Sequence, residues 1–401
     1  MENTTQHIEN NPAPFIKSFR GDKVIWRIII VLSLVSLLVI YSSTSSLAYR
    51  AQSSAFAYFL KQFAFLIVSI LIIYGAHLIA IRWYRGLAKL VFALSVGLLL
   101  LTFISGVGVT FNEGTRWVKL LGFSFQPSEF TKFALILYVA KAVEENNLDS
   151  FKKYFWRILF PAGAVCVLLI YGGSTSVALL LGCTVFIILF VAKIRHSYLW
   201  KTAGIALAAI ALITAISYTT KDKPYQLFPR VHKMIEKRLH PYLYPDNSNI
   251  YQARQAIIAV ASGGIIPKGP GNSTQRHILP NAYDDYVYAI IVEEYGIWGA
   301  IIILLLYLIL FYRAVVIARS CTRAFAMMAV LGLMSLIVFQ AMLHMGVTAG
   351  LLPVTGQTLP FVSLGGSSLI TTGFALGIIL SISRATEERI IKTEQRTTNN
   401  G

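Results

Sequence analysis

The sequence predicts an all-α polytopic membrane protein with about ten transmembrane helices. Of its 401 residues, 56% are hydrophobic and only 13% are charged, whereas soluble domains usually carry about 25% charged residues. Apolar runs of about 20 residues recur along the chain, and a helix of that length crosses the hydrocarbon core of a bilayer. Because unpaired backbone groups are costly in lipid, we expect these runs to be helical.

Ten apolar runs are long enough to be interpreted as spans. They cover residues 26–46, 55–80, 86–107, 127–143, 156–172, 174–193, 198–218, 285–312, 322–345 and 367–385. A short segment containing Gly and Ser separates the fifth and sixth runs, which predicts a tight helical hairpin. The predicted membrane domain therefore extends over 26–385, between an N-terminal tail (1–25) and a C-terminal tail (386–401).

Basic residues predict the orientation of the chain. Lys and Arg are concentrated in both tails and in the short loops after the second, fourth, sixth and eighth runs, and short basic loops favour the cytoplasmic side. Both termini are therefore expected in the cytoplasm. The large loop between spans seven and eight, 219–284, is predicted to be extracytoplasmic, because long loops translocate largely regardless of charge. Within it, residues 230–240 predict an amphipathic helix and residues 250–264 a re-entrant or interfacial helix.

The formal net charge of +17 does not indicate a nucleic-acid-binding protein, because the basic residues lie in short loops between spans. The three cysteines predict no disulfide framework. No His, Cys, Asp or Glu residues show the spacing of a metal site. Neither nucleic acid nor a protein-bound metal is therefore expected.

Asp284 and Asp285 lie where a Gly- and Pro-rich loop enters the eighth run. Two adjacent carboxylates repel each other, and partial burial raises the pKa of at least one of them. A carboxylate with a raised pKa suits a general base. The alternative is a helix cap, because an aspartate before a helix accepts hydrogen bonds from free N–H groups.

Glu293 and Glu294 lie about two turns into the same run. A charge at that depth is costly unless it is paired or faces a water-filled cavity, so a structural ion pair with an Arg or Lys of a neighbouring span is the alternative to a functional role. The preceding loop supplies Lys268 and Arg276 on a Gly- and Pro-rich backbone. That composition suits an anion-binding loop or simple turns.

Residues 114–141 join an external loop to the fourth run. Arg116 and Lys119 are expected outside the bilayer, where Arg116 either binds a pyrophosphate or lipid headgroup through two hydrogen bonds or anchors the chain at the interface. Glu129 and Lys132 are three residues apart, so they can form an ion pair on one helix face.

Three segments of the chain together resemble the SEDS family (shape, elongation, division and sporulation) of membrane-embedded peptidoglycan glycosyltransferases. The first segment, 116–132 (RWVKLLGFSFQPSEFTK), resembles the family's RW…G…QPSE…K pattern. The second, 271–296, resembles its G-N-S-x-Q…L-P-x-A-H-T-D-F-x-F-A…E-E-x-G pattern, and the third, 355–368 (TGQTLPFVSLGGSS), its TG…LPF.SYGGSS pattern. The occurrence of all three in order on a chain with ten predicted spans is specific for the family.

The resemblance implies that the protein polymerises lipid II into glycan strands at the outer face of the bacterial cytoplasmic membrane and releases undecaprenyl pyrophosphate. The family's essential aspartate falls on Asp285, the implied general base. The implied substrate-binding residues are Arg116, Lys119, Lys268, Asn272, Gln275 and Arg276. The implied supporting residues are Glu129, Lys132, Asp284, Glu293, Glu294, Ser367 and Ser368.

The chain departs from the family pattern at two places. Asp284 takes the Thr position and Tyr283 the His position of the family's H-T-D sequence. Residues 171–176 (YGGSTS) lack the acid of the family's QPD-x-G motif. The GNS and TLP sequences resemble the FtsW-like division branch more than the RodA-like elongation branch.

The resemblance also implies partners: a class B penicillin-binding protein transpeptidase and other divisome membrane proteins, within the lipid bilayer at the division septum. No cofactor is expected, although a divalent cation (Mg²⁺ or Mn²⁺) on the substrate pyrophosphate stays open. Two other functions also stay open, a lipid II flippase and a non-catalytic division scaffold.

Overall fold

The computed structural model describes residues 20–44, 54–103, 108–111, 114–120, 123–145, 150–219, 248–279 and 282–399. Within these residues, eleven long helices and a small sheet make up the fold. The helices are α1 Lys23–Ser43, α2 Ala55–Leu78, α3 Ile81–Leu101, α4 Pro127–Glu144, α5 Phe151–Tyr171, α6 Thr175–Val191, α7 His196–Thr219, α8 Ser248–Gly263, α9 Val287–Ser320, α10 Ala324–Thr348 and α11 Gly366–Asn399. A π-helical turn, Phe155–Leu159, interrupts α5.

Each of the ten predicted spans coincides with a helix of the described chain, and α8 is the additional helix of the large loop. Eight of the ten are long and apolar enough to cross a membrane. The exceptions are α4, which carries four charged side chains, and α6, which has 17 residues. A multi-pass helical membrane protein is thus confirmed, while ten crossings and the side on which each loop lies stay predictions.

Several helix ends differ from the predicted bounds. α9 begins after both aspartates and continues to Ser320, with a break at Gly296 (φ 64°, ψ −163°). α11 continues to Asn399, so the predicted tail 386–401 is helical over nearly its whole length. The apolar pattern marks the part of a helix suited to lipid, whereas the helices themselves continue through polar residues. The predicted amphipathic helix at 230–240 lies outside the described residues.

A three-stranded antiparallel sheet lies between α3 and α4 and was not predicted from the sequence. Its strands are β1 Gly108–Phe111, β2 Gly114–Leu120 and β3 Phe123–Phe125, in the order β1-β2-β3. Val109 lies opposite Trp117, and Val118 lies opposite Phe125. The strands have only three to seven residues, too few for a clear alternating pattern. Arg116 and Lys119 both lie on β2.

The helices α4, α9 and α11 pack around α10, and these four helices form the central group of the bundle. α4 and α10 both bury most of their residues, and α10 also packs against α6. α2 packs closely along α11. A Cβ atom added at Gly377 of α11 would lie only 2.6 Å from the Cβ atom of Ala76 on α2, so a glycine is needed at this close contact. α7, in contrast, buries few of its residues. The polar segments that resemble the family motifs meet at one end of this central group.

Candidate functional site

The two aspartates lie in a turn that leads into α9. Tyr286 occupies the position before the first residue of the helix and its side chain makes no capping hydrogen bond. Neither aspartate therefore stands at the capping position, which was the alternative interpretation. Both are half-buried, and the Oδ1 atom of Asp284 is buried without a hydrogen-bond partner among the described residues.

The uncharged segment 351–365 covers this turn. A Cβ atom at Gly356 would lie 4.0 Å from both carboxylate oxygens of Asp285. Gly356 has a φ of 61°, a conformation that glycine adopts without strain. The backbone therefore approaches the Asp285 carboxylate at a point where a side chain would narrow the site.

The same segment holds the backbone of the aspartate turn. The Leu364 N–H donates to the Tyr283 carbonyl over 3.0 Å. The Ser363 hydroxyl donates to the Asp284 carbonyl over 2.8 Å and accepts from the Leu359 N–H, also over 2.8 Å. Two consecutive carbonyls before Asp285 are thus fixed by one short loop.

The electrostatic surroundings of Asp284 oppose its ionisation. Burial raises the pKa of Asp284 well above its ordinary value, and the negative charges of Asp285 and Glu129 raise it further. The neutral acid is favoured because burial penalises the charged form and neighbouring carboxylates repel it. Asp284 therefore holds its proton more strongly than an aspartate in water does.

A buried polar chain connects the first motif to the third. The Lys132 ammonium lies 2.8 Å from the Glu129 carboxylate, so the predicted ion pair is present, and it donates to Gln340 over 2.6 Å. Gln340 donates to the Thr358 carbonyl over 2.9 Å, and the Thr358 and Ser368 hydroxyls lie 3.3 Å apart. The loop that covers the aspartates is therefore fixed by α4, α10 and α11 together.

Ser367 lies beside Ser368 in the first turn of α11, where both side chains are largely buried. Its carbonyl accepts a hydrogen bond from the Thr371 hydroxyl over 2.9 Å. Of these two serines, Ser368 is the one whose hydroxyl has a described contact with the segment 351–365, through Thr358.

Glu293 is fully buried and lies at the centre of the preceding loop. Its carboxylate accepts from the Lys268 ammonium over 2.6 Å and from the Thr274 hydroxyl over 2.7 Å. The N–H groups of Thr274 and Gln275 donate over 3.1 and 3.2 Å, and the Ser273 hydroxyl donates as well. An ion pair is therefore present, but its cation comes from the preceding loop and not from a neighbouring span as the alternative interpretation expected.

Glu294 connects this loop to α1. It accepts a hydrogen bond from the Ser42 hydroxyl, which in turn accepts from the Arg276 guanidinium over 3.2 Å. The Gly269 N–H donates to the Glu294 carbonyl over 2.9 Å, and the Asn272 amide closes the turn within the loop. The E-E-x-G sequence, residues 293–296, therefore attaches the loop 268–277 to α9.

The predicted site residues thus form two groups among the described side chains. Glu129, Lys132 and Ser368 are connected to the loop that covers Asp285. Lys268, Asn272, Gln275 and Arg276 belong to the loop built on Glu293 and Glu294. For Arg116 and Lys119 the structure describes the backbone in β2 but not the side chains. Within the described residues, no group of three His, Cys, Asp or Glu side chains could hold a metal ion.

Four residues of the site were not predicted from the sequence: Gln340, Ser363, Ser42 and Gly356. Gln340 could have been found, because an amide inside the mostly apolar run 322–345 is costly unless it has a buried partner. Ser42 is likewise a hydroxyl within the first run. Gly356 and Ser363 both match letters of the family's TG…LPF.SYGGSS pattern, but the pattern alone gave no reason to prefer them to the other residues of that segment.

Comparison with known proteins finds relatives that belong to one family. The family model FTSW_RODA_SPOVE, described as a cell cycle protein, matches residues 22–388. The "Probable peptidoglycan glycosyltransferase FtsW" of Geobacter sulfurreducens is 31% identical over 367 residues, which are 91% of this chain and 95% of that protein. "Stage V sporulation protein E" of Bacillus subtilis is 30% identical over 371 residues, 92% and 98% of the two chains.

Solved structures share the fold. A chain from "Structural coordination of polymerization and crosslinking by a peptidoglycan synthase complex" aligns with a TM-score of 0.71 and 27% identity, covering 91% of this chain and 98% of that one. The rod shape determining protein RodA of Thermus thermophilus aligns with a TM-score of 0.65 and 23% identity, covering 91% and 97%. Because the family model covers nearly the whole length from α1 to α11, the chain belongs to the FtsW/RodA/SpoVE family of cell cycle proteins.

Proposed function

We propose that this protein is a peptidoglycan glycosyltransferase that polymerises lipid II during septal cell-wall synthesis. Family membership and the names of its relatives support the activity. The observation that carries the assignment of the site is the position of Asp285, a half-buried carboxylate at the start of α9 under an uncharged loop. A half-buried carboxylate can be reached by a substrate hydroxyl, and the residues packed around it exclude part of the surrounding water.

In the proposed reaction, Asp285 accepts the proton of the 4-hydroxyl group of the acceptor GlcNAc. The oxygen attacks the anomeric carbon of the donor MurNAc, a new glycosidic bond forms, and the bond to undecaprenyl pyrophosphate breaks. The released pyrophosphate carries away the bonding electron pair and is a polyanion, so nearby cations stabilise its developing charge.

Four cations are candidates for the pyrophosphate. Lys268 is paired with Glu293, so part of its charge is already neutralised. Arg276 contacts the Ser42 hydroxyl, and Arg116 and Lys119 are placed on β2. We propose these four residues together as the pyrophosphate-binding set, with Mg²⁺ or Mn²⁺ on the pyrophosphate as a further contributor.

We further propose that the protein lies in the bacterial cytoplasmic membrane at the septum, with both termini in the cytoplasm. Its proposed partner is a class B penicillin-binding protein transpeptidase, beside other divisome membrane proteins. A solved relative belongs to a complex described as coordinating polymerization and crosslinking, which supports a crosslinking partner for this chain.

The decisive experiment measures glycan-strand formation from lipid II by the purified protein with its cognate transpeptidase. We expect polymer from the wild type and a loss of about 10²-fold or more in Asp285→Asn, the usual contribution of a general base. Asp284→Asn is the matched comparison, because it changes the neighbouring carboxyl group in the same way. We expect it to retain polymerisation, since the family pattern carries a threonine there.

The other outcomes distinguish the remaining functions. Equal polymer from the wild type and folded Asp285→Asn would reject Asp285 as the base. Lipid II translocation in liposomes without any polymer would indicate a flippase. Normal division of cells that carry only the Asp285→Asn protein would indicate a scaffold.

A further inference from the structure

The segment 359–364 is held from three directions. Tyr307 of α9 donates to the Pro360 carbonyl, and Ser36 of α1 donates to the Val362 carbonyl over 2.8 Å. The amide of Gln62 on α2 donates to Ser36 over 2.7 Å. Each helix therefore fixes a backbone carbonyl of this segment, either directly or through the next side chain.

Phe361 shows how firmly the segment is held. Its φ is 66°, in the left-handed region, and its side chain is 2% exposed. A bulky residue keeps this conformation only where its surroundings determine it, and such strained residues are concentrated at functional sites. The segment is thus a rigid support rather than an adaptable loop.

Ser363 is the residue through which this support contacts the aspartate turn. Its oxygen accepts from the Leu359 N–H and its hydrogen is donated to the Asp284 carbonyl, each over 2.8 Å. The Asp284 carbonyl belongs to the peptide group that joins Asp284 to Asp285. Rotation of that peptide would redirect the Cα–Cβ bond of Asp285 and hence its carboxylate.

We propose that Ser363 is a positioning residue for the glycosyl transfer: its hydroxyl fixes the peptide group before Asp285 and so sets the direction of the Asp285 carboxylate. This inference rests on the proposed function, in which Asp285 is the base. Ser363 itself contacts neither substrate nor reacting atoms in this role. This role differs from general structural support, because Ser363 would affect the reaction only by orienting the Asp285 carboxylate.

Ser363→Ala tests the proposal, with Ser33→Ala as the matched control. Both serines are buried, but Ser33 donates to a carbonyl of its own helix, Ile29, over 2.8 Å. We expect Ser363→Ala to lower kcat about 10- to 100-fold with little change in KM, because a displacement near 1 Å has effects of that size. Ser363→Thr, which keeps the hydroxyl, should recover most of kcat, and Ser33→Ala should match the wild type.

A double-mutant cycle with Asp285→Asn separates positioning from general support. If Ser363 acts through the Asp285 carboxylate, Ser363→Ala lowers the residual activity of Asp285→Asn by less than about twofold. If it supports the site generally, the two losses multiply. Multiplication, or wild-type kcat in folded Ser363→Ala, would overturn the inference.

A folding defect would not end the test. Should Ser363→Ala fail to fold, Ser363→Cys keeps the size of the side chain and weakens both hydrogen bonds. We then expect an intermediate loss of kcat, and wild-type kcat in this variant would reject the proposal. Failure of the proposed function is recognised separately, because the wild type would then make no polymer.

Discussion

Asp284 is the residue at which this chain differs most in chemistry from the family pattern. Its carboxyl group is close to the negative charges of Asp285 and Glu129, and Tyr283 and Tyr286 flank the aspartate pair in sequence. The Lys132 ammonium is paired with Glu129. Asp284 therefore adds a titrating group to the site without a described hydrogen-bond partner for its buried oxygen.

This arrangement predicts a pH-dependent difference in stability between the wild type and Asp284→Asn. The unfolded chain releases the Asp284 proton near the ordinary pKa of 3.8, whereas the folded protein retains it to higher pH. Between those two pKa values the folded state binds more protons, so the free energy of unfolding of the wild type falls as pH rises.

Asp284→Asn lacks this contribution and should gain in Tm relative to the wild type as pH rises from about 4 into the neutral range. Thermal unfolding in detergent over that range measures the difference. A Tm difference that stays constant with pH would contradict the expectation.

The ion pair of Glu129 and Lys132 predicts a second change at the residue scale. Lys132→Met would leave the Glu129 carboxylate nearly buried and unpaired, at a cost of about 3–5 kcal/mol in the free energy of unfolding. Glu129→Gln combined with Lys132→Met removes both charges and should recover much of that loss. Unfolding in denaturant compares the three proteins, and equal stability of the single and double variants would argue against a paired charge.

At the scale of elements, α8 meets α9 where the latter is broken. A Cβ atom at Gly263, the last residue of α8, would lie 2.7 Å from the Val292 carbonyl carbon. The Gly264 carbonyl accepts from the Ile297 N–H just beyond the break at Gly296. This close approach lets the loop that follows α8 reach Glu293.

Gly263→Ala should therefore lower the free energy of unfolding by about 1–3 kcal/mol, because the backbone must move to admit the methyl group. It should also make residues 264–277 more susceptible to limited proteolysis. Gly182→Ala is the matched control, since a Cβ atom there meets nothing within 4 Å. Equal proteolysis of the two variants would show that the contact does not hold the loop.

The elements also show what sequence patterns can predict here. Helices at the ten apolar runs follow from hydropathy, because lipid admits few other structures. The ion pair in α4 follows from its spacing. The wrapping of residues 268–275 around Glu293 could not be predicted, because it depends on backbone N–H donors that every residue possesses. The bounds of α9 and α11 were missed because polar residues end an apolar run without ending a helix.

At the scale of the whole molecule, the bundle separates into a tightly packed group and a loosely attached one. α10 and the first half of α11, up to Ser383, are largely buried, whereas α7 buries few of its residues. The three motif segments, distant in sequence, all belong to the enclosed group or to loops attached to it. The three motifs could be located from the sequence. That α10, which carries no family motif, connects the first motif to the third through Gln340 is visible only in the packed structure.

The length of α11 has a mechanical consequence. Its 34 residues form a rod of about 51 Å at 1.5 Å per residue, and no break like that of α9 interrupts it. Near its first residue Ser368 meets the loop over Asp285, and about two-thirds of the way along the helix Glu388 pairs with Arg20. A force applied to residues 386–399 is therefore transmitted along a stiff lever arm to the support of the aspartate turn.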